Sequence, residues 1–307
     1  MNDLRATLEE YLRVRRALGF KLERAGLLLA EFVAYCEQAG VGTITVETAL
    51  TWARLPAGGP GWWAYRLGAV RVFATYLQAI DPATEIPPVD LLPARRARLT
   101  PYLYSDADIA GLMETARRLR SPLGAPTYDA LIGLLAVTGM RIGEAIRLDR
   151  ADMCWNQGLL TIRDSKFSKS RELALHSTTT EALHAYARCR DWLCPNPSAA
   201  SFFVTHSGNR LSYSVVQAGF STLVRRAGLT PHSDACRPRI HDLRHSFAVH
   251  TLLHWYQQGV NVEARLPLLS TYMGHASPKS TYWYLSAAPE LMAVVGKRLE
   301  EAMGELP

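Results

Sequence analysis

Three short stretches of the chain hold side chains that bind anions and move protons. Thr138-Gly139-Met140-Arg141-Ile142-Gly143-Glu144 sets an arginine directly after an apolar run and a glycine, with a carboxylate three residues on that can brace it along a helix. On its own this also describes an ordinary surface ion pair. In His241-Asp242-Leu243-Arg244-His245, helical spacing puts His241 with Arg244, or His241 with His245, on one face. Gly274-His275 follows, and Tyr284 stands nine residues beyond His275. Guanidiniums grip oxyanions through paired donors, imidazoles carry protons near neutral pH, and a tyrosine can act as a nucleophile. The spacing of His241 and His245 also fits a zinc-binding helix. The glutamate of the HExxH pattern is absent, however, and spacing supplies no third ligand, so no metal is expected.

Taken together, TGMRIGEA around Arg141, HDLRHSFA around Arg244, MGHASPKSTYWY from Met273 to Tyr284 and the lysine-bearing loop between the first two resemble the tyrosine recombinases, in that family's order and over most of residues 105–290. The resemblance implies that Arg141, Lys166, His241, Arg244, His275 and Tyr284 form the catalytic set. The two arginines would clamp the non-bridging oxygens of a phosphodiester, and Tyr284 would attack its phosphorus and keep the bond energy in a 3′-phosphotyrosyl link, so neither metal nor ATP is needed and no cofactor is expected. His241 would move the tyrosine proton, His275 would hydrogen-bond the phosphate, and a loop lysine would protonate the departing 5′ oxygen. Glu144 and His245 would support the site. The family pattern favours Lys166 over Lys169, with Phe167 standing where a glycine is common, and the distance from His275 favours Tyr284 over Tyr282.

These groups need elements to hold them. Residues 3–80 read as helices, with Leu8, Leu12, Leu27, Leu28, Phe32 and Tyr35 at three- and four-residue spacings, Gly40 and Gly42 as punctuation, and further helices over residues 46–54 and 62–79. Asp81-Pro82 closes the last of them. Ser105-Asp106-Ala107-Asp108 reads as a capping box opening a helix with Ile109, Leu112, Met113, Ala116 and Leu119 on one face. A buried helix is expected over residues 130–137, then a strand pair over 159–163 and 172–175 around the polar loop, then mainly helix, ending in an amphipathic segment with Leu291, Val294, Val295 and Leu299 on one face. The expected architecture is mainly α with a small antiparallel sheet, in two domains that form a C-shaped DNA clamp. A helical, SAM-like core-binding domain covers 1–82, a proline-rich linker 83–104, a catalytic domain 105–288 and a C-terminal exchange helix 289–307.

Composition sets limits on function. At 307 residues two hydrophobic cores are expected, and a formal charge of +6 favours a polyanionic partner without proving one. Five cysteines with no CxxC pair read as reduced thiols rather than a disulfide framework, and the charged start of the chain and short apolar runs predict neither export nor membrane insertion. Arg13, Arg15, Arg16 and Lys21, in a stretch similar to the start of core-binding domains of mobile-element recombinases, are candidate phosphate contacts, as are Arg95, Arg96, Arg98, Lys169 and Arg171; each also fits a solvated basic surface. The resemblance implies a cytoplasmic, nucleoid-associated site-specific recombinase of integrase or transposase type. Double-stranded DNA is its expected partner, with four protomers in the synapse, possible sister recombinases and a Holliday-junction intermediate. Its rivals are a type IB topoisomerase-like nicking and resealing enzyme and a catalytically silent DNA-binding regulator.

Overall fold

In the computed structural model the described residues are 3–93, 100–163, 170–275, 277 and 279–287. The chain divides into two compact units, Met1–Arg98 and Leu99–Pro307.

Among its described residues the first unit holds four helices: α1 (Leu4–Ala17), α2 (Glu23–Gln38), α3 (Val46–Arg54) and α4 (Pro60–Leu77). Asp3 caps α1 by accepting from the backbone N–H groups of Arg5 and Ala6, and the Thr45 hydroxyl caps α3 by accepting from Thr48. α4 begins two residues before the expected position because Pro60 sits comfortably in a first helical turn, where no N–H is needed. Phe32, Trp52, Leu67, Val70, Phe73 and Leu77 close a core between these helices. Residues 83–92, expected to form an open connection, pack on this unit instead. Leu92 joins its core, and Arg71 donates to the carbonyls of Pro87 (2.6 Å) and Pro88 (2.7 Å). Prolines deprive such a segment of its own backbone donors, and the arginine satisfies its carbonyls from outside.

The second unit opens on Tyr102 and Tyr104, both in its core, and continues through α5 (Asp106–Arg117), α6 (Gly124–Thr138), α7 (Ile142–Arg147), the strands β1 (Met153–Cys154), β2 (Leu159–Ile162) and β3 (Arg171–Ala174), then α8 (Ser177–Leu193), α9 (Tyr213–Arg226), α10 (Asp242–Gln257), α11 (Val262–Met273) and α12 (Lys279–Ala287). The capping box at the start of α5 is present, with Ser105 and Asp108 each accepting from the other's backbone N–H. The strands form one antiparallel sheet in the order β1-β2-β3, with Ile162 opposite Arg171 and Leu160 opposite Leu173. Leu160, Ile162 and Leu173 face the main core alongside Leu131, Leu135, Phe203 and Phe220. A smaller cluster of Ala248, Val249, Leu252, Val262, Leu266, Leu269, Met273 and Tyr284 joins α10, α11 and α12. Among the described residues no helix is long and apolar enough to cross a membrane. The basic run Arg95, Arg96 and Arg98, the lysines Lys166 and Lys169, and the C-terminal segment 289–307 lie outside the described residues.

Candidate active site

The site begins at the end of α6, where Gly139 takes a left-handed conformation (φ 58°) that is costly for a side-chain-bearing residue. A methyl group there would collide with the Phe247 ring of α10. This bare turn lets Arg141 start α7 beside α10. The Arg141 backbone N–H donates to Glu144 Oε2 and its Nη1 to Oε1, both at 2.9 Å, so the arginine is braced at both ends by the carboxylate three residues on.

Glu144 is 3 % exposed and shared. Arg171, at the start of β3, donates Nη1 to Oε1 (3.2 Å) and Nη2 to Oε2 (2.9 Å) of the same carboxylate. Burial alone would raise the Glu144 pKa, but the donors and charges of Arg171 and Arg141 overcome it and hold the carboxyl below its ordinary value. Arg171 was expected at a DNA phosphate; its side chain is only 12 % exposed, and its donors go to Glu144 and the Tyr272 carbonyl inside the protein. Strand alternation carried the clue: Arg171 shares a face with Leu173, which points into the core.

On α10, Arg244 is 3 % exposed and donates Nη1 to the Gly139 carbonyl (2.7 Å) and Nη2 to the Met273 carbonyl (2.8 Å). Burial and then the neighbouring Arg141 lower its pKa to about 10, which leaves it cationic at neutral pH. Three arginines thus meet at the C-terminus of α11. Arg171, Arg244 and Arg141 donate to the consecutive carbonyls of Tyr272 (2.9 Å), Met273 (2.8 Å) and Gly274 (2.9 Å). Carbonyls at a helix end lack intrahelical partners and carry the negative end of the helix dipole, so they suit these cations. Three guanidiniums gather here with one carboxylate, which bonds Arg141 and Arg171 but not Arg244, and the Arg141 side chain, 31 % exposed, presents the excess positive charge at the surface. An oxyanion is the natural complement.

The histidines and the tyrosine flank this cluster. His241 keeps an exposed edge, yet the protein packed around it, then the charges of Arg244, Arg141 and Arg239, lower its pKa to about 4. Its ring stands perpendicular to that of His245, with centroids 5.0 Å apart. The Tyr284 hydroxyl lies 3.2 Å from Nδ1 of His245, which places this histidine at the phenol. Sequence spacing placed His245 in a supporting role; its contact with Tyr284 comes from the packing of α12 on α10, which no local pattern encodes. Tyr284 itself is 2 % exposed, whereas Tyr282 is 51 % exposed. His275 bonds Thr281 (Nδ1 to Oγ1, 2.7 Å) and lies nearly parallel to the Tyr284 ring at 6.1 Å. Burial, followed by the charges of Arg244, Arg141 and Arg171, lowers its pKa to about 4. Among the described residues, no three His, Cys, Asp or Glu side chains gather as a metal site would require.

Of the first unit's candidates, Arg13 is exposed and paired with Glu10 (2.6 Å), and Arg16 and Lys21 are exposed. Arg15 instead lies over the Phe20 ring, 3.9 Å from its centroid, and is only partly accessible.

Known proteins share both the sequence and this arrangement of elements. Residues 104–290 match the phage integrase family. The integrase/recombinase y4rB of Sinorhizobium fredii is 43 % identical over 98 % of this chain and 98 % of its own length. The tyrosine recombinase XerC of Herpetosiphon aurantiacus is 28 % identical over 72 % of this chain and 67 % of its own. Among solved structures, a lambda integrase tetramer bound to a Holliday junction shares the fold, with a TM-score of 0.58 at 17 % identity over 92 % of this chain and 76 % of that one. The chain therefore belongs to the phage integrase family, the tyrosine recombinases, and is a site-specific recombinase that cleaves and joins DNA strands.

Proposed function

We propose that Arg141 and Arg244 hold the non-bridging oxygens of the scissile phosphate, that Tyr284 attacks its phosphorus, and that the 5′-oxygen leaves while a 3′-phosphotyrosyl bond keeps the energy for rejoining. The observation that carries this reading is the convergence of both arginines on the end of α11, one turn of chain from His275 and next to the helix that bears Tyr284. The phenol proton passes to the paired histidines, His245 in contact with the hydroxyl and His241 with its ring perpendicular to that of His245. His275 hydrogen-bonds a phosphate oxygen, and Lys166, rather than Lys169, protonates the leaving oxygen. Because Tyr284 is 2 % exposed, it leaves its packing before it can reach a duplex.

The domains act as a clamp on double-stranded DNA: a core-binding unit with Arg13, Arg16 and Lys21 at phosphates, a basic linker with Arg95, Arg96 and Arg98, and the catalytic unit. Four protomers then join two sites through a Holliday junction in the cytoplasm, at the nucleoid. The lambda integrase tetramer supports this reading through its shared fold. Segment 289–307 is read as an exchange element between neighbours. Its removal costs the joining of two sites more than the binding of one; equal losses in the two assays would count against that role.

The chemistry is tested with a nicked duplex selected from a random-sequence pool by the wild-type chain. A denaturation-resistant protein–DNA adduct is expected from the wild type and from Tyr282→Phe, and none from Tyr284→Phe. An adduct that survives Tyr284→Phe removes this nucleophile. A chain that binds the duplex and forms none is a silent regulator.

A further inference from the structure

We infer that Arg171 is a positioning residue for catalysis: it locks Glu144 behind Arg141 and simultaneously seats the turn from which His275 projects. The inference rests on the catalytic reading above. Glu144 is saturated by four donors, two from Arg141 and two from Arg171, so Arg171 completes the carboxylate cage that aims the Arg141 guanidinium. A third donor, Nε, goes to the Tyr272 carbonyl (2.9 Å). One planar fork therefore ties β3, α7 and the end of α11 together, a geometry that the point charge of a lysine does not reproduce.

Gly274 supplies an independent observation. A Cβ there would sit 2.6 Å from Arg171 Nη1, and the residue already holds φ at 68°. The glycine preceding His275 is thus bare at the place the Arg171 guanidinium fills, so the arginine and the backbone that launches His275 are fitted to one another. Displacing the fork leaves Glu144 with half its donors and frees the α11 terminus to shift. Reacting groups misplaced by about an ångström can lose two orders of magnitude in rate.

The experiment compares wild type, Arg171→Gln and Arg171→Lys on the nicked duplex described above. It measures the affinity for the un-nicked duplex, the adduct-forming rate at saturating protein and, without DNA, the titration of the His275 ring by NMR. Positioning predicts affinity within about twofold of wild type and a saturated rate roughly 10- to 100-fold lower in Arg171→Gln, with Arg171→Lys recovering only a small part of it. It also predicts that the His275 titration moves up from about 4 in Arg171→Gln, as one nearby cation is lost. Weaker binding with an unchanged saturated rate would make Arg171 a DNA contact, and full rescue by lysine would reduce its role to charge; either overturns the proposal. If the wild type forms no adduct, the catalytic reading fails, and an unmoved His275 titration still overturns the placement of Arg171. Well-dispersed histidine signals in Arg171→Lys show that loss of rate is not loss of fold.

Discussion

Burial, and then the cations around them, lower the pKa values of His275 and His241 to about 4, and this makes the free protein sensitive to acid. The unfolded chain binds a proton at each histidine near pH 6.5, whereas the folded chain resists until about 4. Between those values the unfolded state holds more protons, so stability is full above pH 6.5 and falls as pH drops toward 4. Below the ordinary glutamate value of 4.5, Glu144 adds a loss of its own: its lowered pKa means the folded state favours the carboxylate, and protonation removes that advantage. For the half-buried His275 the effect is on the order of 1–3 kcal/mol, discounted for the access its ring retains. Urea titrations from pH 7.5 to 4.5 should show a falling midpoint, and His275→Asn should flatten part of that fall. A variant with the wild-type slope would mean that the low pKa of His275 does not contribute to the pH dependence of folding. The same cations have a second consequence. A bound phosphate offsets them and raises the histidine pKa values, so DNA binding near pH 5.5 should take up protons, which calorimetry in buffers of different ionisation enthalpy measures directly.

At the scale of elements, the site depends on two helix ends closed by left-handed glycines, Gly139 after α6 and Gly274 after α11. Gly139→Ala should cost about 2 kcal/mol or more, because positive φ is strained for alanine and its methyl meets Phe247. A shift in chemical-denaturation midpoint of that size is expected, and an unchanged midpoint would show that α10 readily yields at this contact. Many of these elements were legible in advance. The Ser105–Asp108 capping box, the helix over 46–54 and the strand pair around the lysine loop all follow from local rules of capping and alternation. The two-residue β1 was not, since so short a strand leaves no period to read and exists only through pairing with β2. Arg141, Arg244 and the order of motifs were legible because each motif is contiguous in sequence. The bond of His245 to Tyr284, 39 residues apart, and that of Arg171 to Glu144, 27 residues apart, were not. Spacing reports neighbours along one helix or strand; which histidine meets the phenol is decided by how α12 packs on α10.

Across the whole molecule, the two units have separate cores, one around Phe32 and Phe73, the other around Leu131, Phe203 and Phe220. Each buries its own apolar residues, so the second should fold without the first. The net charge of +6 on 307 residues is modest, which makes the placement of cations, more than their total, the source of DNA affinity. Arg13, Arg16 and Lys21 are exposed on the first unit, where nothing of the catalytic cluster needs them. If they meet phosphates, each releases counterions and steepens the dependence of log affinity on log salt by about 0.9. Leu99–Pro307 expressed alone should therefore bind the selected duplex more weakly at low salt and with a slope shallower by at least about 2, yet still form the Tyr284 adduct when saturated. Parallel salt plots for fragment and full chain would remove the first unit from the phosphate backbone. A fragment that binds with the shallower slope but forms no adduct would mean that the first unit, besides supplying affinity, is needed to bring Tyr284 out of its packing and onto the phosphate.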